Sequence, residues 1–199
     1  MSYIKICGLT RIEDVEAVNK YKPDFAGFVF AKSRRQISVE KAKVLKKSIS
    51  SDIKVVGVFV NENNEEIIWL LNEGIIDIAQ LHGDENEGDI EYIKYMTGKE
   101  VIKAVSVRCK EDVLKWQNSI TDYLLLDNGA GGSGMCFDWN EIPSVSKRFF
   151  LAGGINASNI DKALNMNPYA IDLSGGVETN GYKDPDKIMY IVEKVRKYV

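Results

Sequence analysis

Proline, cysteine and histidine are all scarce in this chain: its 199 residues include 4 prolines, 3 cysteines and 1 histidine. The cysteines are Cys7, Cys109 and Cys136, an odd and scattered set with no Cys-x-x-Cys. That argues against a disulfide framework and a structural zinc site, and no metal site is expected. A reducing cytoplasm is the compartment that fits. Any Ser-His-Asp or Cys-His set would have to use His82, the only histidine. No apolar run approaches the roughly 20 residues that span a bilayer, so no membrane partner is expected. The opening "MSYIKIC" lacks a basic region followed by a long apolar segment, so it does not read as a secretory signal. No large charge excess exists either. A net charge of -3 gives no footing on nucleic acid. No Gly/Ser tract, proline-rich linker or long charge run divides the chain. One domain over residues 1–199 is predicted, with 45% hydrophobic residues to fill its core.

What the chain has instead is alternation. Short β-rich runs occupy residues 3–7, 25–30, 54–60, 77–82, 101–107, 123–127, 148–154 and 169–174. Several are almost continuously apolar, as parallel strands buried on both faces must be. Amphipathic stretches lie between them, at 11–21, 38–49, 63–74, 86–98, 110–118, 156–166 and 184–198. Thr10, Ser38 and Asn63 stand where helix caps belong, and Gly74 and Gly98 where helices stop. Ile12, Val15 and Val18 share one stripe of the first helix. The weakest crossover is 137–146, where only a short helical turn is expected. Eight βα units most economically close into a single-domain (β/α)8 TIM barrel of the α/β class. An open doubly wound sheet is the alternative.

A barrel places active groups at the C-terminal ends of its strands and on the loops that follow. The polar and glycine residues gather there. The first strand ends at Cys7, before Gly8. The fourth ends in "QLHG", with Gln80 and His82, and the sixth in "YLLLD", at Asp127. "AGGIN" and "SGGVE" follow the last two strands, and the first leads into a helix starting near Ala157. Glycine loops in those places suit a phosphate, because backbone N–H groups can approach an anion closely. "GAGGSG" at 129–134 fits the dinucleotide fingerprint in form but opens no helix, so it reads as a loop beside Asp127. Cys7 is either a small core hydrophobe or a reactive thiol. Asp127 is either a loop cap or an acid/base. Arg34 and Arg35 are either a solvated pair or a clamp for a carboxylate.

The motifs "KICGLT", "SRRQIS", "QLHG", "LLLDNGAGGSGMCFDW", "LAGGIN" and "IDLSGGVE", with the "KD" beyond them, occur in that order. Together they resemble the phosphoribosylanthranilate isomerases, from residue 4 to residue 184. The resemblance implies a TIM barrel that isomerises N-(5-phosphoribosyl)anthranilate to 1-(2-carboxyphenylamino)-1-deoxyribulose 5-phosphate, an Amadori rearrangement in tryptophan biosynthesis. It implies Cys7 as general base, Asp127 as general acid and Arg35 as the binder of the anthranilate carboxylate. Gly153, Gly154, Ser174, Gly175 and Gly176 would hold the phosphate, and Gln80, His82 and Asp172 would touch substrate. No cofactor is implied, the substrate is the expected partner, and a monomer and a homodimer both stay open. There are departures: Gln36 stands where the family often has Tyr or Phe, "SGGVE" where it often has "SSGVE", and "GSGMCFDW" where it has "GTGxxFDW". The related histidine-pathway isomerase and a non-catalytic phosphate-binding barrel are the competing readings.

Overall fold

The computed structural model describes residues 2–127, 139 and 142–198. Eight parallel strands close into a barrel in chain order. They are β1 (Tyr3–Cys7), β2 (Phe25–Val29), β3 (Lys54–Phe59), β4 (Ile78–Leu81), β5 (Val101–Ser106), β6 (Tyr123–Asp127), β7 (Phe149–Leu151) and β8 (Ala170–Leu173). The seam is closed by β1, which pairs with β2 on one side and β8 on the other, Lys5 standing opposite Asp172. That closure replaces the open-sheet alternative. Around the barrel lie α1 (Ile12–Tyr21), α2 (Val39–Ser48), α3 (Asn64–Asn72), α4 (Glu87–Thr97), α5 (Lys110–Leu114), α6 (Ile160–Leu164) and α7 (Pro185–Lys197). None of the described helices is long and apolar enough to cross a membrane.

Local chemistry sets most of these boundaries. The side chains of Ser38 and Asn63 accept from Lys41 N and Glu65 N and so cap α2 and α3. Gly98 ends α4 in the left-handed conformation. Thr10 is not the cap of α1. Arg11 holds that position, and Asp14 reaches back to accept from the backbone N–H groups of both Thr10 and Arg11. This turns Asp14 inward with Val15, Ala17 and Val18, and leaves Ile12 43% exposed. The helix expected from Ala157 begins at Ile160, after a turn in which Asn159 Oδ1 accepts from Asn156 N. Much of the 137–146 crossover, the 129–134 loop and Cys136 lie outside the described residues. Residues 142–146 carry no helix.

One element has no counterpart in the sequence reading. β9 (Glu178–Thr179) and β10 (Tyr182–Lys183) form a small antiparallel hairpin after β8. Asn180 and Gly181 turn it, both with positive φ, the combination that Asn-Gly favours.

Two layers of apolar packing result. Strand residues facing outward pack against the helices, with Ile4, Phe28, Phe59 and Leu126 among them. The interior of the barrel is a separate cluster containing Phe25, Val56, Ile102, Tyr123, Leu125 and Phe150. At the N-terminal floor, Phe25 and Tyr123 each meet Phe150 edge to face, with ring centroids 5.3 and 5.5 Å apart. Such rings combine a large buried area with a favourable mutual geometry.

Candidate active site

At the C-terminal ends of the strands lies a cavity of about 600 Å³. Its walls include every site residue that the family resemblance implies: Cys7, Arg35, Gln80, His82, Asp127 and Asp172, with Gly153, Gly154, Ser174, Gly175 and Gly176 at one end. A second cavity of about 260 Å³, beside Trp116, contains none of them.

Cys7 is the last residue of β1 and is 92% buried, given its 8% exposure. A Cβ on Gly27 would stand 2.7 Å from its sulfur, so the neighbouring strand has made room for the thiol. Gly8 turns the chain away with φ +83°, and a Cβ there would lie 2.4 Å from Arg35 Cδ. Both its conformation and its packing therefore favour glycine. Two residues before Cys7, and so on the same face of the strand, is Lys5. Lys5 is fully buried. Its Nζ donates to Asp172 Oδ2 at 2.9 Å and Gln80 Oε1 at 2.8 Å, and it also interacts with the Cys7 side chain. Burial opposes the Lys5 charge, but Asp172 and Cys7 outweigh it and raise its pKa. Burial likewise pushes the Cys7 thiol up, and Lys5 and Lys183 draw it back only in part. At rest Cys7 is therefore a thiol under a standing pull toward thiolate. The second oxygen of Asp172, Oδ1, is buried with no hydrogen-bond partner among the described residues.

Across the mouth, Gln80 Nε2 is 2.9 Å from His82 Nδ1. His82 Nε2 is 3.6 Å from Asp127 Oδ2. A line of polar groups thus crosses from the Cys7 side of the barrel to Asp127 on β6.

Arg35 sits on the loop after β2 and is engaged by Glu178. Arg35 Nε and Nη2 donate to the two oxygens of Glu178 at 2.7 and 3.0 Å. Arg34 Nη2 and Lys183 Nζ also reach that carboxylate, at 2.5 and 2.7 Å. Burial works against the Glu178 charge, but the bonds from Arg35 and Lys183 more than offset it and hold its pKa at about 2. The bidentate contact uses one edge of the Arg35 fork and fixes the plane of the other, the edge bearing Nη1. Gln36 is not part of the cavity wall. Its amide donates to Phe30 O at 2.8 Å and ties the loop back to the end of β2.

The glycine loops meet back to back. A Cβ on Gly176 would lie 1.9 Å from Ile155 O, so the loops after β7 and β8 can approach this closely only with glycine at 176. Gly153 and Gly154 both take positive φ. Ser174 Oγ donates to Cys7 O at 3.0 Å, which joins the glycine loops to the thiol end of the cavity. Since α6 starts late, the backbone N–H groups nearest the cavity are those of the loops and of the 3₁₀ turn Gly175–Val177 rather than those of a long helix.

Three contributors escaped the sequence reading. Lys5 was discoverable from its i, i+2 spacing to Cys7. Glu178 and Lys183 flank the Asn180–Gly181 turn, whose hairpin signature marks them as cross-strand neighbours, and they are paired in register.

The family model described as N-(5'phosphoribosyl)anthranilate (PRA) isomerase matches residues 4–194. The N-(5'-phosphoribosyl)anthranilate isomerase of Clostridium kluyveri is 45% identical over 199 residues, covering 98% of each chain. The crystal structure of phosphoribosyl anthranilate isomerase from Thermus thermophilus superposes with a TM-score of 0.90 at 31% identity, over 100% of both chains. A further isomerase structure, in complex with reduced 1-(o-carboxyphenylamino)-1-deoxyribulose 5-phosphate, gives a TM-score of 0.84 at 32% identity, over 98% of this chain and 99% of that one.

Proposed function

The chain belongs to the N-(5'-phosphoribosyl)anthranilate isomerase family, and from that premise we propose how its barrel mouth divides the work of the reaction. The enzyme converts phosphoribosylanthranilate to its 1-deoxyribulose 5-phosphate isomer in tryptophan biosynthesis. One observation carries the division of roles. A thiol, a carboxyl group, an oriented guanidinium and two glycine loops line the same cavity.

The loops after β7 and β8 take the phosphate, and the Nη1 edge of Arg35 takes the anthranilate carboxylate. These anchors hold the ribose between Asp127 and Cys7. Asp127 protonates the furanose ring oxygen. The C1′–O bond breaks and the nitrogen lone pair forms a protonated Schiff base. Cys7 then removes the proton from C2′, and the C2′–H electrons move toward nitrogen to give the enolamine, which tautomerises to the ketone. The positive Schiff base favours the thiolate electrostatically, adding to the pull of Lys5. Asp172 Oδ1 accepts from the substrate's amine or ribose hydroxyls. Every step is a proton transfer or a shift of electrons within the substrate, so the chemistry asks for no cofactor. The unlinked thiols Cys7 and Cys109 suit a reducing cytoplasm.

Loss of the anthranilate substrate's fluorescence on mixing with the protein is the direct test. Turnover of phosphoribosylanthranilate supports the assignment. Turnover confined to the histidine-pathway aminoaldose, or saturable binding without any turnover, would replace it with the corresponding competing reading.

A further inference from the structure

The line of groups between Lys5 and Asp127 fixes something that an imidazole alone leaves open, which is the nitrogen that carries its proton. The ammonium of Lys5 is donor-only. It donates to Gln80 Oε1 at 2.8 Å, so the amide oxygen must face the lysine and the NH2 must face away. Gln80 is only 2% exposed and has little freedom to turn. Asp172 keeps the lysine charged through its own contact at 2.9 Å, so the first link persists. The outward NH2 of Gln80 meets His82 Nδ1 at 2.9 Å. An amide NH2 can only donate, so Nδ1 must accept. The single ring proton of neutral His82 then sits on Nε2, the nitrogen 3.6 Å from Asp127 Oδ2.

We propose that Lys5 and Gln80 lock His82 in its Nε2–H form, and that His82 is the positioning residue whose N–H orients the Asp127 carboxyl for proton transfer. The tautomer follows from geometry alone. The role toward Asp127 rests on the isomerase reading above. The arrangement makes His82 a fixed donor rather than a second acid. Before the reaction its N–H selects which carboxyl oxygen keeps the proton. Once Asp127 has delivered that proton, the same N–H stabilises the carboxylate left behind.

Because His82 is the only histidine, ¹⁵N-histidine labelling gives ring signals that need no assignment. A long-range ¹H–¹⁵N correlation spectrum of the ligand-free protein, at a pH where the ring is neutral, should show Nε2 protonated and Nδ1 bare. A proton on Nδ1, or an even mixture, overturns the proposal. Gln80→Glu places a carboxylate against Nδ1 and should move the proton there. It should lower kcat roughly tenfold to a hundredfold, with a smaller change in KM. His82→Gln, which can offer an amide N–H near the Nε2 position, should retain more turnover than His82→Leu. If the proton moves in Gln80→Glu and kcat does not, the positioning role falls. If Gln80→Glu does not fold, the wild-type spectrum still decides the tautomer. Nε2–H in a protein that never turns over phosphoribosylanthranilate would leave the tautomer lock standing and overturn the catalytic role, together with the isomerase reading.

Discussion

At the floor of the barrel, Phe25, Tyr123 and Phe150 pack ring against ring. A step further along the strands, the same interior holds Lys5, Gln80 and Asp172, with a lysine that is 0% exposed. The two regions belong to one barrel and share alternation and burial, and differ in what burial does to them. Each ring removed from water contributes about 1.5–3 kcal/mol. Each ion removed from water costs several kcal/mol before its partner repays any of it. The floor holds the fold together. The mouth draws on that stability to set the protonation of one thiol and the direction of one imidazole. The molecule teaches that a core and a site can be the same packing problem, solved with different side chains at neighbouring levels of one sheet.

If floor and mouth divide the labour in this way, substitutions in each should have separable effects. The largest concerns the mouth. Cys7→Ala or Asp127→Asn should cut kcat by roughly 10²–10⁴-fold, the usual worth of a positioned acid or base. The melting temperature should hold or rise, because neither change opens a hole in the floor. Near-normal turnover in Cys7→Ala would remove the thiol from the mechanism. The mirror experiment is Phe150→Ala. It should cost about 3–5 kcal/mol in urea unfolding, with kcat per folded molecule little changed. A large loss of kcat there would mean that the floor shapes the chemistry directly.

Lys5→Met sharpens the boundary between the two levels. It removes a positive charge that favours the thiolate, so the Cys7 pKa should rise beyond its already raised value. The alkylation-rate profile of Cys7 with iodoacetamide, measured with Cys109 and Cys136 replaced by serine, should shift to higher pH. The rate at neutral pH should fall. A profile that stays in place would mean that Lys5 serves Asp172 alone. The smallest effect is at the rim. The pKa of Glu178 is lowered to about 2 in the fold from an ordinary carboxyl value of 4.5. A depressed carboxylate contributes stability above its unfolded pKa and loses it as pH falls through the folded one. Unfolding free energy should therefore decline between about pH 4.5 and pH 2, and the part due to Glu178 should vanish in Glu178→Gln.

The eight strands were legible because buried parallel strands are apolar runs with polar or glycine stops, and β1 and β6 were read to the residue. β7 was read too long at both ends: Arg148 precedes its first residue, and beyond Ala152, whose N–H still reaches Leu126 O, Gly153 and Gly154 turn away at positive φ. Thr10 misled because the capping oxygen comes from Asp14, inside the helix, a reciprocity that a single-residue rule passes over. At the mouth, the residues at strand ends were visible by position. Lys5 was not, because a lysine within an apolar strand suggests solvent, and only its parity with Cys7 turns it inward. Glu178 was overlooked as the tail of a glycine motif, although the turn two residues later brings Lys183 against it.

The seam between β1 and β8 has a consequence in time. Asp172, which holds Lys5 beneath Cys7, is made 167 residues after Lys5. At 5–20 residues per second, roughly 10–30 s separate the two. For that interval the nascent chain carries an ordinary, solvated cysteine. The tuned thiol is therefore a late product of synthesis, and a chain truncated before β8 would present a bare nucleophile where the finished protein presents a sheltered one.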